Sequence, residues 1–281
     1  MITIQDVATA AGVSLSTVSR ALANSPRVKA ETRHRIQQLA EEMGYIPSAI
    51  ARGLATRRTY TLGIVVMDIT DPFIAELVRA IDMTAVERGY SLILSHCGSH
   101  PERELAAINT LRRHHVDAVI VPDPMVSDTV LPRLQEYNFP VVLINVQTYA
   151  HAICTDNIGG VRLAVEYLLD LGHTRIAYLG SQRNERENSQ RQAGYKQAIT
   201  DRGLPPGPIV IGQGDGWMEA GRSGMAQLLT LPQPPTAVLC FNDLSAIAAM
   251  GAARSAALRV PQDISIVGFD NINLSPYLDP P

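Results

Sequence analysis

The sequence predicts a small all-α head followed by an α/β body of two lobes, each built on a doubly wound parallel sheet. Apolar residues in positions 4–43 recur at helical spacing. From Leu62 onward, short apolar runs typical of buried strands alternate with helical stretches instead. The 281 residues are enough for one small module and two lobes of about 100 residues each.

The first helix is predicted over residues 4–11. Its apolar face consists of Ile4, Val7, Ala8 and Ala11. Thr3 can cap the start of this helix, because Asp6 follows three positions later as in a capping box. Gly12 can end the helix at low conformational cost.

The second helix is predicted to begin after Ser14, where Val13 can pack against Val18 as a hydrophobic staple. Its opposite face carries Leu15, Ser16, Ser19 and Arg20. Hydroxyls, a guanidinium fork and an apolar contact are the groups that read base edges in a major groove. The pattern therefore indicates a helix-turn-helix, although helical hairpins that bind nothing share it.

The charge distribution favours DNA binding by the head. Residues 1–60 contain eight Lys or Arg and four Asp or Glu, whereas the rest of the chain contains 16 basic and 23 acidic residues. A basic head on an acidic body suits contact with phosphates at one end only. A chance fluctuation in a window of this length is the alternative.

A third helix, predicted over 30–43, closes a DNA-binding head of residues 1–47. The sequence SAIARGLA at 48–55 predicts a short helix that is marginal in water and forms only when a partner pins it. The polar stretch TRRTYT completes a hinge and linker over residues 48–61.

The body is predicted from its alternating pattern. Strands are expected at 62–67, 91–95, 117–121, 141–144, 175–179, 208–211, 236–240 and 264–269. Helices are expected at 73–88, 102–114, 127–137, 157–171, 189–202, 218–230 and 243–257. Such alternation predicts parallel sheets, with an N-terminal lobe at 62–155 and a C-terminal lobe at 156–281. Ligands of these sheets bind beyond the carboxyl ends of the strands, which are rich in polar residues here.

Composition argues against several classes of protein. No run approaches the length of a membrane helix, and the N-terminus lacks a secretory signal pattern. Cys97, Cys154 and Cys240 are scattered without CxxC spacing, which favours a reducing cytoplasm over disulfides or a zinc site. No dinucleotide, P-loop, GxSxG or metal-ligand pattern is found, so we expect no enzyme, metal or cofactor. A solute receptor that does not bind DNA is the remaining rival.

Several motifs together resemble those of the LacI/GalR family of bacterial transcriptional regulators. They are GVSLSTVSRALAN, YIPSAIARGLA, GIVVMDITDPF, GHTRIAYLG, PTAVLCFND and RVPQDISIVGFD, and they run through the whole chain. The resemblance implies a homodimer, most simply a repressor, that binds a pseudo-palindromic operator in double-stranded DNA. It also implies a periplasmic-binding-protein-like body, with a small polar effector such as a sugar in the cleft between the lobes.

The resemblance further implies which residues contact DNA. They are Thr3, Ser14, Leu15, Ser16, Thr17, Ser19 and Arg20 in the head, and Leu54 in the hinge. Leu15, Ser16 and Arg20 match positions that read bases in the major groove. Leu54 matches a leucine that is wedged into the minor groove at a central step. Simple packing is the alternative for Leu15, and packing within a hinge core for Leu54.

The implied effector-binding residues are Asp71, Phe73, Arg191, Asn242 and Asp270. Carboxylate, amide and guanidinium groups beside an aromatic ring suit a polyhydroxylated ligand. Helix capping is the alternative for Asp71, and a cap or turn role for Asn242 and Asp270. Gly216 holds a position where relatives often have an aromatic residue, so Trp217 is not expected to stack on the ligand.

Family members usually continue beyond the SPYLDPP at which this sequence stops. The resemblance implies that such a tail crosses back to the first lobe and supplies a ligand contact. If the chain ends naturally here, ligand response and dimerisation through the body are in question. Two alternatives therefore stay open: a truncated regulator that binds DNA without ligand control, and a cytoplasmic small-solute-binding protein. The sequence does not separate a repressor from an activator.

Overall fold

The computed structural model describes residues 2–45, 58–122, 124, 134, 139–214 and 216–281. The chain divides into two compact units. One unit consists of Met1–Thr61 with His115–Asp117, and the other of Leu62–His114 with Ala118–Pro281. The segment 46–57, which contains the predicted hinge helix, lies outside the described residues, as does most of the helix predicted at 127–137.

The described part of the first unit contains three helices, α1 (Ile4–Ala11), α2 (Leu15–Leu22) and α3 (Ala30–Glu42). Helix α1 begins in the predicted capping box. The amide of Asp6 donates to Thr3 Oγ1 (3.3 Å), and the amide of Thr3 donates to Asp6 Oδ2 (2.8 Å). Gly12 ends α1 in the left-handed region, with a φ of 66°. This backbone conformation strains residues that carry a Cβ atom.

A single apolar core holds the three helices together. Its fully buried side chains include Val7 of α1, Val18 and Ala21 of α2, and Ile36 of α3. Within α2, Val18 and Ala21 lie three positions apart, as expected for the inner face of a helix. Because Val18 and Ala21 are buried on the inner side of α2, the opposite face of that helix is exposed to solvent.

The second unit contains two sheets. Their strands are β1 (Thr61–Val66), β2 (Ser91–His96), β3 (Ala118–Val121), β4 (Val141–Ile144), β5 (Ala152–Ile153), β6 (Ile176–Ser181), β7 (Ile209–Gly212), β8 (Ala237–Cys240) and β9 (Ser265–Val267). The strand orders are β2-β1-β3-β4-β5 in the first sheet and β7-β6-β8-β9 in the second. The pairs β1/β3, β3/β4, β4/β5, β6/β7, β6/β8 and β8/β9 are parallel.

Helices follow the strands through most of this unit. They are α4 (Pro72–Glu87), α5 (Pro101–Arg113), α6 (Asn157–Asp170), α7 (Glu185–Asp201), α8 (Trp217–Leu229) and α9 (Asp243–Ser255). A short 3₁₀ turn, Ser275–Tyr277, follows β9. Non-sequential strand order with helical crossovers is the doubly wound arrangement, so the predicted fold class is confirmed.

The differences from the sequence prediction have local causes. Strand β5 was missed because two residues give no periodicity that a sequence pattern can reveal. Helix α7 begins at Glu185, earlier than predicted, because Asn184 caps it by accepting from the amide of Glu187 (3.4 Å). The apolar run at 264–269 forms only the three-residue strand β9, and its last residues leave the sheet.

The second sheet is buried on both faces. All six residues of β6 are buried, because helices cover the sheet on either side. Tyr178 and Tyr195 lie within this core, where their hydroxyls donate to Asn188 Oδ1 (3.0 Å) and to the carbonyl of Ile176 (2.7 Å). These bonds offset the cost of burying two phenolic groups.

Leu179→Ala in β6 is expected to destabilise the second unit by about 2–5 kcal/mol, because the fully buried side chain would leave a cavity. The measurement is chemical denaturation followed by circular dichroism. Leu163→Ala on α6 is the matched control, because the Leu163 side chain is 70% exposed. Equal shifts of the two unfolding midpoints would contradict this assignment of the core.

Candidate functional site

The first candidate surface is the outer face of α2. Leu15, Ser16, Ser19 and Arg20 are all exposed there, and Leu15 is exposed to 43%. Because Leu15 is exposed beside two hydroxyls and a guanidinium group, this face does not take part in the core of the head. The face carries the donors, acceptors and apolar contact that base edges in a major groove can match.

The N-terminus of α2 is surrounded by hydroxyl groups. Ser14 Oγ accepts from the amide of Thr17 (3.2 Å), and lies 3.0 Å from Ser16 Oγ and 2.9 Å from Thr17 Oγ1. The free amide groups of a helix N-terminus favour an anion such as a phosphate. Thr3 is exposed, but its hydroxyl is already used in the capping box of α1.

Leu54, the remaining residue predicted to contact DNA, lies outside the described residues. Its predicted wedge role therefore stays a prediction from sequence.

The second candidate site is a cavity of about 190 Å³ at the carboxyl ends of the strands. It is lined by all five predicted effector-binding residues, Asp71, Phe73, Arg191, Asn242 and Asp270. The other lining residues are Asn145, Thr155, Asn184, Glu187, Trp217, Phe241 and Phe269. Side chains from both lobes of the second unit therefore meet at one cavity.

The guanidinium group of Arg191 has several partners in this cavity, and its side chain is only 5% exposed. Its Nε donates to Asn157 Oδ1 (2.8 Å), and its Nη1 donates to the carbonyl of Phe241. Nη2 lies 3.5 Å from Glu187 Oε2 and 3.9 Å from Asp270 Oδ1. Buried guanidinium groups persist only when paired and hydrogen-bonded in this way.

Aromatic rings enclose the same guanidinium group. Arg191 Cζ lies 4.4 Å from the ring centroid of Phe241 and 3.9 Å from that of Phe269. Gly160 leaves room for this packing, because a Cβ at that position would lie 2.9 Å from Phe269 Cε2. Cation–π contacts of a desolvated guanidinium add to the ion pairs.

Asp71 caps α4 and also faces the cavity, so its two interpretations are not exclusive. The amide of Phe73 donates to Asp71 Oδ1 (2.9 Å), and Trp217 Nε1 donates to Asp71 Oδ2 (3.0 Å). Burial raises the pKa of the Asp71 carboxyl above its ordinary value, and the charge of Asp68 adds to this, although the two hydrogen bonds oppose it.

Asn242 likewise combines two roles. It caps α9 by accepting from the amide of Ser245 (2.9 Å), while its buried side chain lines the cavity. Asp270 lies in a turn after β9, with a φ of 109° that few residues other than glycine adopt. Its carboxylate lies 3.9 Å from the guanidinium of Arg191.

Trp217 lines the cavity, although the sequence did not predict it as a binding residue. Its ring stacks on Phe241 with centroids 5.1 Å apart and an interplanar angle of 18°, and the guanidinium of Arg183 lies 5.1 Å from it. Gly216 takes the N-cap position of α8, and Trp217, the first residue of that helix, lines the cavity. Asn145 and Asn184 also line the cavity. The sequence could have indicated them, because each is a polar residue in the segment that follows a predicted strand.

Two negative observations apply to the described residues alone. Within them, no group of three or more His, Cys, Asp or Glu side chains is arranged to hold a metal ion. Among the helices of that same part of the chain, none has the length and apolar character needed to cross a membrane.

Arg191→Met is expected to destabilise the protein by about 3–5 kcal/mol, because it leaves two carboxylates beside the cavity without their cation. Thermal and chemical denaturation measure this loss. Arg222→Met on the exposed side of α8 is the matched control and is expected to change stability by no more than about 0.5 kcal/mol. If both variants unfold like the parent protein, Arg191 does not organise the cavity.

Comparison with known families agrees with this two-part arrangement. Residues 3–48 match the model of "Bacterial regulatory proteins, lacI family". Residues 59–276 match the model of "Periplasmic binding proteins and sugar binding domain of LacI family".

Curated relatives match along nearly the whole chain. The HTH-type transcriptional regulator GalS of Salmonella typhimurium is 38% identical, over 100% of this chain and 83% of the relative. The HTH-type transcriptional repressor CytR of Escherichia coli is 36% identical, over 99% of this chain and 83% of the relative.

Solved structures show the same fold. The lac repressor dimer bound to operator and the anti-inducer ONPF matches with a TM-score of 0.87 and 30% identity, over 98% of this chain and 84% of that chain. The CelR–cellobiose complex matches with a TM-score of 0.70 and 29% identity, over 100% of this chain and 86% of that chain. The chain therefore belongs to the LacI family and is a DNA-binding transcriptional regulator.

Proposed function

We propose that the chain acts as a homodimeric repressor that binds a pseudo-palindromic operator through α2, under the control of a small polar effector bound in the cavity. The observation that carries the DNA-binding part is the exposed face of α2. Leu15, Ser16, Ser19 and Arg20 share that face while Val18 is buried on the other. A helix that packs one face into a small core and presents a polar reading face is suited to the major groove.

Within this proposal the contacts of the head divide into two kinds. Leu15, Ser16 and Arg20 contact base edges, and a bidentate bond from Arg20 to guanine supplies the strongest discrimination. Thr17 and Ser19 contact the backbone, where phosphate contacts fix the register of the head on DNA. Thr3 and Ser14 complete the set through their caps at the helix N-termini.

The effector part of the proposal rests on the cavity. Asp71, Phe73, Arg191, Asn242 and Asp270 converge there from separate strand ends, with an aromatic ring beside carboxylate, amide and guanidinium groups. This combination suits a hydroxyl-rich ligand such as a carbohydrate. Two structural neighbours support that class, since one is a complex with cellobiose and one holds ONPG in the repressed lac repressor.

We assign the parts of the chain accordingly. Residues 1–47 form the DNA-binding head, 48–61 the hinge and linker, 62–155 the N-terminal lobe and 156–281 the C-terminal lobe. Because Asp71 belongs to one lobe and Arg191 to the other, a ligand that touches both favours one arrangement of the lobes. That preference is transmitted through the linker to the head, with a coupling free energy of about 1–3 kcal/mol. Homodimerisation is supported by the lac repressor neighbour, which is a dimer.

Arg20→Ala is expected to weaken binding to the operator by about 1–3 kcal/mol and to relax base preference at one position of each half-site. Selection of binding sites from random DNA, followed by fluorescence anisotropy, measures both effects. Arg254→Ala, an exposed arginine of α9, is the matched control and should bind as the parent does. If the Arg20→Ala variant keeps the base preference of the parent protein, the assignment of α2 to the major groove is wrong.

Leu54→Ala is expected to reduce operator bending and to weaken binding. A side chain wedged into a base step costs about a few kcal/mol of unstacking, and the bend it produces repays this cost with added protein–DNA contact. Circular permutation gel shifts measure the bend. Binding to non-specific DNA, which depends on phosphate contacts, should stay the same. A full bend with Leu54→Ala would show that another residue deforms the DNA.

A further inference from the structure

Two guanidinium groups in and beside the cavity already have counter-charges within the protein. Arg191 Nη2 lies 3.5 Å from Glu187 and 3.9 Å from Asp270. The guanidinium of Arg183 lies over the ring of Trp217, and its Nη2 is 3.8 Å from Asp68 Oδ2. Because each cation is neutralised locally, neither offers an unbalanced positive charge to an incoming anion.

Asp71 differs from these carboxylates in having neutral partners. Its two oxygens accept from the amide of Phe73 and from the indole of Trp217, at 2.9 and 3.0 Å. Among the cavity-lining carboxylates that the structure describes, it is the one for which no guanidinium or ammonium group lies within ion-pair distance. Each carboxylate oxygen can accept a further hydrogen bond, so Asp71 can receive donors from a bound molecule.

The size of the cavity further restricts the range of ligands that can bind. Its volume of about 190 Å³ is below the ~300–1,000 Å³ of pockets that hold drug-sized molecules. A single six-membered ring with its hydroxyls is the scale that such a volume admits. Phe73 and Trp217, which both donate to Asp71, add apolar surface to the cavity lining, and this suits the less polar face of a ring.

We propose that the cavity selects a single-ring, hydroxyl-rich ligand that is uncharged or carries an amine, and that Asp71 excludes phosphorylated and carboxylated analogues. This inference rests on the proposed role of the cavity as the effector site. A hydroxyl or ammonium group of the ligand donates to Asp71. A phosphate at the same place meets a carboxylate that has no counter-ion, and specificity results from this repulsion as well as from the attraction.

The first experiment compares matched ligands on the full-length chain. Glucose, galactose and mannose are each tested as the free sugar, the 2-amino sugar and the 6-phosphate. Binding is followed by calorimetry and by the emission of Trp217, which is the single tryptophan of the chain and lies against Asp71. The expected result is binding of a free or amino sugar at millimolar concentration or below, with its 6-phosphate at least tenfold weaker.

The second experiment removes the charge while keeping a helix cap. Asp71→Asn and Asp71→Ser both retain a side-chain oxygen suited to the N-cap of α4, so circular dichroism should confirm folding. The expected loss for an amino sugar is about tenfold or more in Kd, since a hydrogen bond between charged groups is lost. Discrimination against the 6-phosphate should shrink. Asp82→Asn, an exposed carboxylate on the same helix, is the matched control and should bind as the parent does.

Three outcomes would overturn the inference. They are a 6-phosphate that binds as tightly as its free sugar, no binding by any free or amino sugar of the panel, and an Asp71→Asn variant with unchanged selectivity. Operator binding measured with the best ligand tests the proposed function separately. Suppose that a ligand binds beside Trp217 with the expected selectivity but leaves operator affinity unchanged. The inference about Asp71 would then stand, and the proposed role of the cavity as an effector site would be wrong.

Discussion

The second unit depends on one buried cation, the guanidinium group of Arg191. It is carried by α7, yet it bonds to Asn157 of α6, to the chain after β8 through the carbonyl of Phe241, and to Asp270 after β9. A desolvated guanidinium without such partners would be very unfavourable. The strand ends and helices that surround it are therefore held in the arrangement that satisfies its donors, and that arrangement also forms the wall of the cavity.

The polar residues of the cavity serve the fold and the site together. Asp71 and Asn242 cap α4 and α9, and both also line the cavity. A capping residue sits at the N-terminus of a helix that follows a strand, which in parallel sheets is the edge where ligands bind. The sequence offered a cap and a ligand contact as alternatives for these residues. In the fold, the same side chain can serve as both.

Three hydrogen bonds join the segments around the first sheet to those around the second. Trp217 donates to Asp71, Arg183 donates to Ser99 (3.2 Å), and the amide of Asn273 donates to Glu76. Of these bonds, the one between Trp217 and Asp71 joins two residues that line the cavity.

The sequence by itself determined the helical head, the alternation of strands and helices, and the polar strand ends, because these follow from local periodicity, caps and parallel-sheet geometry. The grouping of Asp71 with Arg191 was also predicted, but from resemblance and not from spacing. Only the tertiary structure decided that Trp217 lines the cavity, because its hydrogen bond to Asp71 joins segments that are far apart in the sequence. It alone also decided the partners of Arg191 and Asp71, because ion pairs between distant segments depend on packing that no local pattern encodes.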